Sequence, residues 1–144
     1  MARYHLNHSE LQSHYEAPSN CLQQFLPETL GGGYSSHFQL ESGLNYINSF
    51  YTPNKDLAVT SQLENAEAKL VITLGLAGNS CFAAQNGSEV LFKYGYTTIT
   101  SVNTSIGERQ YQAGEAIHQI RLTVNKSWLA RYMGAEHSDF LFKA

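Results

Sequence analysis

For most of its length the chain reads in steps of two. From residue 34 onward, short runs alternate apolar and polar residues, with Gly, Asn, Asp or Pro between them. Alternation sends successive side chains to opposite faces of a strand, so these runs predict half-buried β-strands. They cover residues 34–40, 44–52, 57–63, 69–77, 80–85, 88–94, 96–100, 108–112 and 116–124. The run 69–77 is the most apolar, with Leu70, Ile72, Leu74 and Leu76 on one face. Glu41-Ser42-Gly43, Pro53-Asn54-Lys55-Asp56 and Gly78-Asn79 are turns by composition. Asn86-Gly87 is a strong hairpin signal, because both residues tolerate positive φ. About eight or nine strands at even spacing predict a mainly β fold, an antiparallel barrel or jelly roll.

The period changes at Asn125. Trp128, Leu129, Tyr132 and Met133 share one stripe of a predicted helix over Lys126–Met133. Asn125 or Ser127 can cap its start, and Gly134 suits its end. The stripe is expected to pack on the barrel and also to meet a second copy, so Trp128, Leu129, Tyr132 and Met133 are the expected homodimer interface. Residues 135–144 read as the start of a second helix or strand, with Phe140, Leu141 and Phe142 apolar. Such an ending suggests a chain that continues in a longer parent protein or packs on a partner. Upstream, residues 1–21 are polar and carry His5, His8 and His14. They read as an arm or leader, with a short helix around 9–15 as the alternative. Gly31-Gly32-Gly33 closes the leader as a turn. It is no phosphate loop, since no Lys-Ser/Thr follows and no helix opens after it. The expected organisation is a leader over 1–21, a barrel over 22–124, and a helix with the start of a linker over 125–144.

Composition narrows the function classes. Charged residues are only 15% of the chain, and nine Tyr and seven Phe favour strands over a helical bundle. The net charge is −3 and Lys and Arg form no cluster, so this chain is not expected to bind nucleic acid by itself. Two cysteines are too few for a disulfide framework. The polar N-terminus is no signal peptide, and no apolar run reaches the ~18 residues of a membrane span. The expected compartment is the cytoplasm, with no membrane partner.

Candidate chemistry is sparse. There is no Gly-x-Ser-x-Gly, neither Cys21 nor Cys81 has a neighbouring His, and the strands carry no close carboxylate pair. No catalytic residue and no cofactor are therefore assigned. His118 is the best single candidate. It shares a strand face with Ile120, Leu122 and Val124, where an imidazole must find a hydrogen-bond partner or a ligand. A core histidine bonded to a carbonyl and a pocket-lining histidine both fit that pattern. Arg121 lies on the opposite face with Ile117, Gln119 and Thr123, and this face reads as the outer one. Phe38, Tyr46, Phe50, Phe92 and Tyr94 also alternate with apolar neighbours. An internal ligand pocket is accordingly predicted from Phe38, Tyr46, Phe50, Tyr94 and His118, suited to a semi-polar organic molecule.

One further pattern points to a family. Leu26-Pro27-Glu28-Thr29-Leu30-Gly31-Gly32-Gly33 leads in, followed by Ser42-Gly43-Leu44 and then Leu74-Gly75-Leu76-Ala77-Gly78-Asn79. Then come Glu108-Arg109, Tyr111, Ala113-Gly114-Glu115, Ile117 and finally Trp128-Leu129. Across residues 22–133 the chain resembles the N-terminal sensor domain of AraC-family transcriptional regulators, most closely the pyochelin-regulator branch. The resemblance implies a cupin-like barrel that binds a small effector, dimerises through helices after the barrel, and precedes a DNA-binding region with two helix-turn-helix units. That region is not in this chain. In that branch the effector is an iron–siderophore complex, and no contact residue carries over. The metal pattern of cupins, His-x-His with Glu and a later His, is not matched by His37 and His118, so no metal site is expected. The expected function is ligand sensing and dimerisation in a transcriptional regulator, not catalysis. The alternatives are a free-standing cupin-type enzyme and a carbohydrate- or partner-binding β module.

Overall fold

Alternating runs broken by turn residues must fold back on one another to pair their backbone groups. The computed structural model describes residues 3–16, 21–63, 68–85, 87–102 and 105–137. Among them are twelve strands: β1 Tyr4–Asn7, β2 Gln12–Glu16, β3 Cys21–Phe25, β4 Gly31–Glu41, β5 Leu44–Pro53 and β6 Leu57–Leu63, then β7 Lys69–Ala77, β8 Ser80–Ala84, β9 Glu89–Phe92, β10 Thr97–Val102, β11 Ser105–Tyr111 and β12 Ile117–Asn125. Helix α1 spans Lys126–Met133, as predicted, and a second helical turn starts at residue 135. The fold is 65% strand with two short C-terminal helices, which is the mainly β class expected. The tail with Phe140, Leu141 and Phe142, all but Ala68 of the loop expected over 64–68, and Asn86 of the Asn-Gly turn lie outside the described residues.

The strands form two sheets, β1-β6-β11-β8-β9 and β10-β7-β12-β5-β4-β3-β2. All described pairings are antiparallel except β1 with β6. The polar stretch read as an arm contributes to both sheets. Tyr4–Asn7 runs parallel along β6, and Gln12–Glu16 pairs with β3, with a 3₁₀ turn at His8–Glu10 between them and no α-helix over 9–15. Gly31-Gly32-Gly33, read as a turn, instead opens β4. Gly33 pairs with Tyr51 at φ 124°, and a Cβ there would strike the Phe50 carbonyl, so only glycine fits.

Two contacts lock the sheets face to face. Gln119 Nε2 on β12 donates to Ser80 Oγ on β8 at 2.7 Å, and the rings of Tyr51 and Tyr111 meet edge-on at 5.6 Å. These contacts, with the strand register, place the odd-numbered residues of β4, β5, β7 and β12 inside and the even ones outside. Leu6, Leu11, Leu26, Leu30, Tyr51, Leu57, Tyr111 and Ile117 form an apolar plug where β5 ends and β12 begins. Burying each such side chain is worth about 1.5–3 kcal/mol, so this end anchors the barrel. At the opposite end α1 lies on the outer face of the seven-stranded sheet. Its Leu129 packs on Leu70 and Val124, with Leu44 and Trp128 flanking. Asn125 sits at the cap position without a side-chain capping bond. The helix is held by Trp128 Nε1 donating to Glu41 Oε2 at 2.7 Å and Arg131 donating to the Ser42 carbonyl at 3.0 Å.

Candidate functional site inside the barrel

The inner face of the seven-stranded sheet is layered, and burial falls beyond the second layer. Nearest the plug stand Tyr51 and Ile117, both buried. Next come Gln24, Ser35, Ser49 and Gln119, in register across four strands and all buried. Three of them bond within the protein. Ser35 Oγ bonds Ser49 Oγ at 3.0 Å and His37 Nε2 at 3.1 Å, and Gln119 reaches Ser80 across the barrel. The third layer holds His37, Ile47, Arg121 and Thr73, and here only Thr73 is fully buried. The fourth, with Asn45, Thr123 and Val71, is half-buried throughout. Inward-facing side chains that keep accessible surface border unfilled space, so among the described residues the barrel is packed at one end and more open at the other.

Arg121 is the floor of that open half. It lies deep in the protein mass, and this burial, followed by the charge of Arg109, pushes its guanidinium down to about 9. Arg109 reaches in from the facing sheet, where it pairs with Val59 and Phe82 and stacks its guanidinium 5.3 Å above the Phe92 ring. The other groups whose charge reaches Arg121 are Tyr111 and Tyr51. Burial, then Tyr111, hold the Tyr51 hydroxyl neutral well above the usual tyrosine range. Among the described residues neither arginine has a carboxylate partner within ion-pair distance, and Thr73 Oγ1, buried beside Arg121 in register, has no hydrogen-bond partner. The same residues contain no group of three or more His, Cys, Asp or Glu poised around one point. Both cysteines are free, and burial pushes the Cys81 thiol up, away from nucleophilic character.

The structure reverses the facing assigned to the predicted pocket residues. Phe38, Tyr46, Phe50 and His118 lie together on the outer face of the seven-stranded sheet. His118 stacks on Phe50 at 3.9 Å and bonds Asn48 Oδ1 at 2.9 Å, and the ring row continues to Tyr34 and Phe25. Phe38 and Tyr46 pair one row along, with centroids 6.0 Å apart. Tyr94 sits in the turn after β9 and is 65% exposed. Arg121, expected outside, is inside with Ile117, Gln119 and Thr123. The strands present a more apolar face outward and a polar face inward, so hydrophobicity alone selects the wrong face. The missed signal was concerted: Ser35 and His37, Asn45 and Ser49, Gln119 and Arg121 put polar groups on the same parity of three paired strands. Of the expected dimer residues, Leu129 is buried against its own barrel and Trp128 is half-buried, while Tyr132 and Met133 are exposed.

No protein-family model matches the chain, and no curated protein matches it. Solved structures do match. An uncharacterised protein with a double-stranded β-helix domain from Klebsiella pneumoniae superposes with a TM-score of 0.50 at 10% identity, over 65% of this chain and 76% of that one. A cupin domain from Bordetella pertussis gives 0.49 at 4% identity, over 67% of this chain and 96% of that one. An RmlC-like cupin protein from Desulfovibrio desulfuricans gives 0.46 at 13%, over 64% and 81%. The chain has the cupin, or double-stranded β-helix, fold. Identities this low speak for the fold and for nothing finer. No helix among the described residues is long and apolar enough to cross a membrane.

Proposed function

We propose that this chain is the effector-binding domain of a transcriptional regulator of the AraC type, taking a small organic molecule into the open half of its barrel. The observation that carries the reading is the graded interior, sealed by an apolar plug at one end and polar and half-buried at the other. Small-molecule sites are concave, with a few placed polar groups among apolar walls, and the mouths of barrels are a usual place for them. The regulator half rests on the motif resemblance over residues 22–133, which also offers a siderophore as one effector class. In this reading the domain binds and does not catalyse. It acts in the cytoplasm as a homodimer, using the exposed Tyr132 and Met133 of α1, and it reaches DNA only through another region of its polypeptide.

Chromatin immunoprecipitation with an antibody against this domain, in the cells that express it, tests the regulator half. Enrichment of discrete DNA sites that changes with growth conditions supports it; a flat profile overturns it. Calorimetric screening of the purified chain against small organic molecules tests the binding half, which falls if nothing binds with a dissociation constant below about 1 mM, the weak end of the specific range.

A further inference from the structure

We propose that the open half of the barrel is a carboxylate site, in which Arg121, Arg109 and Thr73 hold the acid group of a small organic acid whose body rests on Ile47, Val59 and Phe82. The proposal deepens the reading of the barrel as a small-molecule site and rests on it. Two guanidinium groups project from opposite sheets into the same interior, near enough for the charge of Arg109 to reach Arg121. Like charges placed together in a buried site repel, and a buried charge without a counterion is costly. Among the described residues no carboxylate offsets either one. Thr73 Oγ1 is the independent observation. It is buried at 1% exposure, without a partner, and adjacent to Arg121 across the β7–β12 ladder. A native site rarely leaves such a hydroxyl unmade unless something else is to fill it.

A carboxylate satisfies all three groups. It accepts two parallel N–H bonds from a planar guanidinium fork and keeps lone pairs for a second cation and a hydroxyl. Lowering of the Arg121 pKa by burial is the effect that a bound anion would reverse. Ile47, Val59 and Phe82 face inward and are half-buried, which leaves apolar surface for the rest of the molecule.

The test is isothermal titration calorimetry of the whole chain at fixed ionic strength with acetate, hexanoate and benzoate. Their neutral amides and inorganic phosphate are titrated alongside. At least one acid is expected to bind while its amide does not. Arg121→Met should weaken that acid by about ten- to a hundredfold, the effect of losing a charge-assisted bidentate contact. Thr73→Val, close to isosteric, should weaken it by several-fold with an unchanged circular dichroism spectrum. Equal binding of acid and amide, unaffected by Arg121→Met, overturns the carboxylate site and leaves the small-molecule pocket standing. Phosphate binding that depends on Arg121, with no acid binding, overturns the carboxylate in favour of a phosphate. No binding by any acid or amide overturns the carboxylate site, and the pocket itself falls only if the wider screen is also empty.

Discussion

Arg121→Met should make the ligand-free protein more stable. Burial pushes the guanidinium down from its ordinary value to about 9, with Arg109 adding to the effect. Each pKa unit corresponds to ~1.4 kcal/mol, so keeping this group charged in the fold costs about 5 kcal/mol before relaxation. Arg121 keeps some accessible surface on the open side, and water there reduces that figure. Replacing unsatisfied buried charge with an apolar side chain of similar length is neutral to stabilising, by about 1–4 kcal/mol. At roughly 3 °C per kcal/mol for a domain of this size, the melting temperature should rise by about 3–12 °C. Differential scanning calorimetry at pH 7.5, in a buffer free of carboxylates and phosphate, measures it. A fall of more than about 3 °C would refute the reasoning, because it would mean that the charge is satisfied within the fold and holds it together.

Alkaline pH gives a second reading of the same group. Its folded pKa is depressed, so above about 9 the unfolded chain holds more protons than the folded one, and stability should rise with pH. Chemical denaturation at pH 8 and pH 10 should show a gain of about 1.4 kcal/mol that is absent in Arg121→Met; no difference between the two proteins would count against the shift. Above 10 the raised Tyr51 pKa acts the other way, since an acid held protonated in the fold loses stability as pH climbs. His118→Phe keeps the stack on Phe50 but strands Asn48, so it should cost about 1 kcal/mol in urea melts and leave acid binding unchanged. Lost binding with intact folding would return His118 to the ligand site. Gly33→Ala should cost at least about 2–3 kcal/mol, because the left-handed backbone and the Phe50 carbonyl both exclude a Cβ; a wild-type melting curve would contradict the close approach. Light scattering at high concentration should show a dimer that Met133→Glu dissociates, and a strict monomer for the unmodified chain sinks the proposed use of α1.

Much of the fold was legible because alternation and turn chemistry are local. The runs 57–63 and 69–77 and the helix Lys126–Met133 match the elements β6, β7 and α1 residue for residue. Turns at Ser42-Gly43 and Gly78-Asn79 fall where composition put them. The first three strands were not legible. Tyr4–Asn7 and Gln12–Glu16 sit at sheet edges and are largely exposed, so they carry no apolar period, and among their described side chains only Leu6 is buried. The site was misread for a different reason. Parity along β12 was correct, with His118, Ile120, Leu122 and Val124 on one face and Ile117, Gln119, Arg121 and Thr123 on the other. Which face points inward is not a local property. It is set by the facing sheet, through contacts such as Gln119 with Ser80 and Tyr51 with Tyr111, that no single strand encodes.

If the barrel binds a ligand as proposed, that inversion would let it be both stable and receptive. A fully apolar interior would collapse on itself and leave no site. Here the apolar function is displaced to two other places. The plug around Leu6, Leu30, Leu57 and Ile117 closes one end, and the outer sheet face carries the ring row Phe25–Tyr34–Phe50–His118 with α1 across its far end. The inner layer of Ser35, Ser49, Gln119 and Ser80 then satisfies its own hydrogen bonds without needing a ligand. Among the described residues, the layer above it, Arg121 with Thr73, is left with unmet electrostatic demand. On the proposed reading, a site that costs stability when empty would recover it when filled, and that difference in free energy would couple occupancy to the state of the domain.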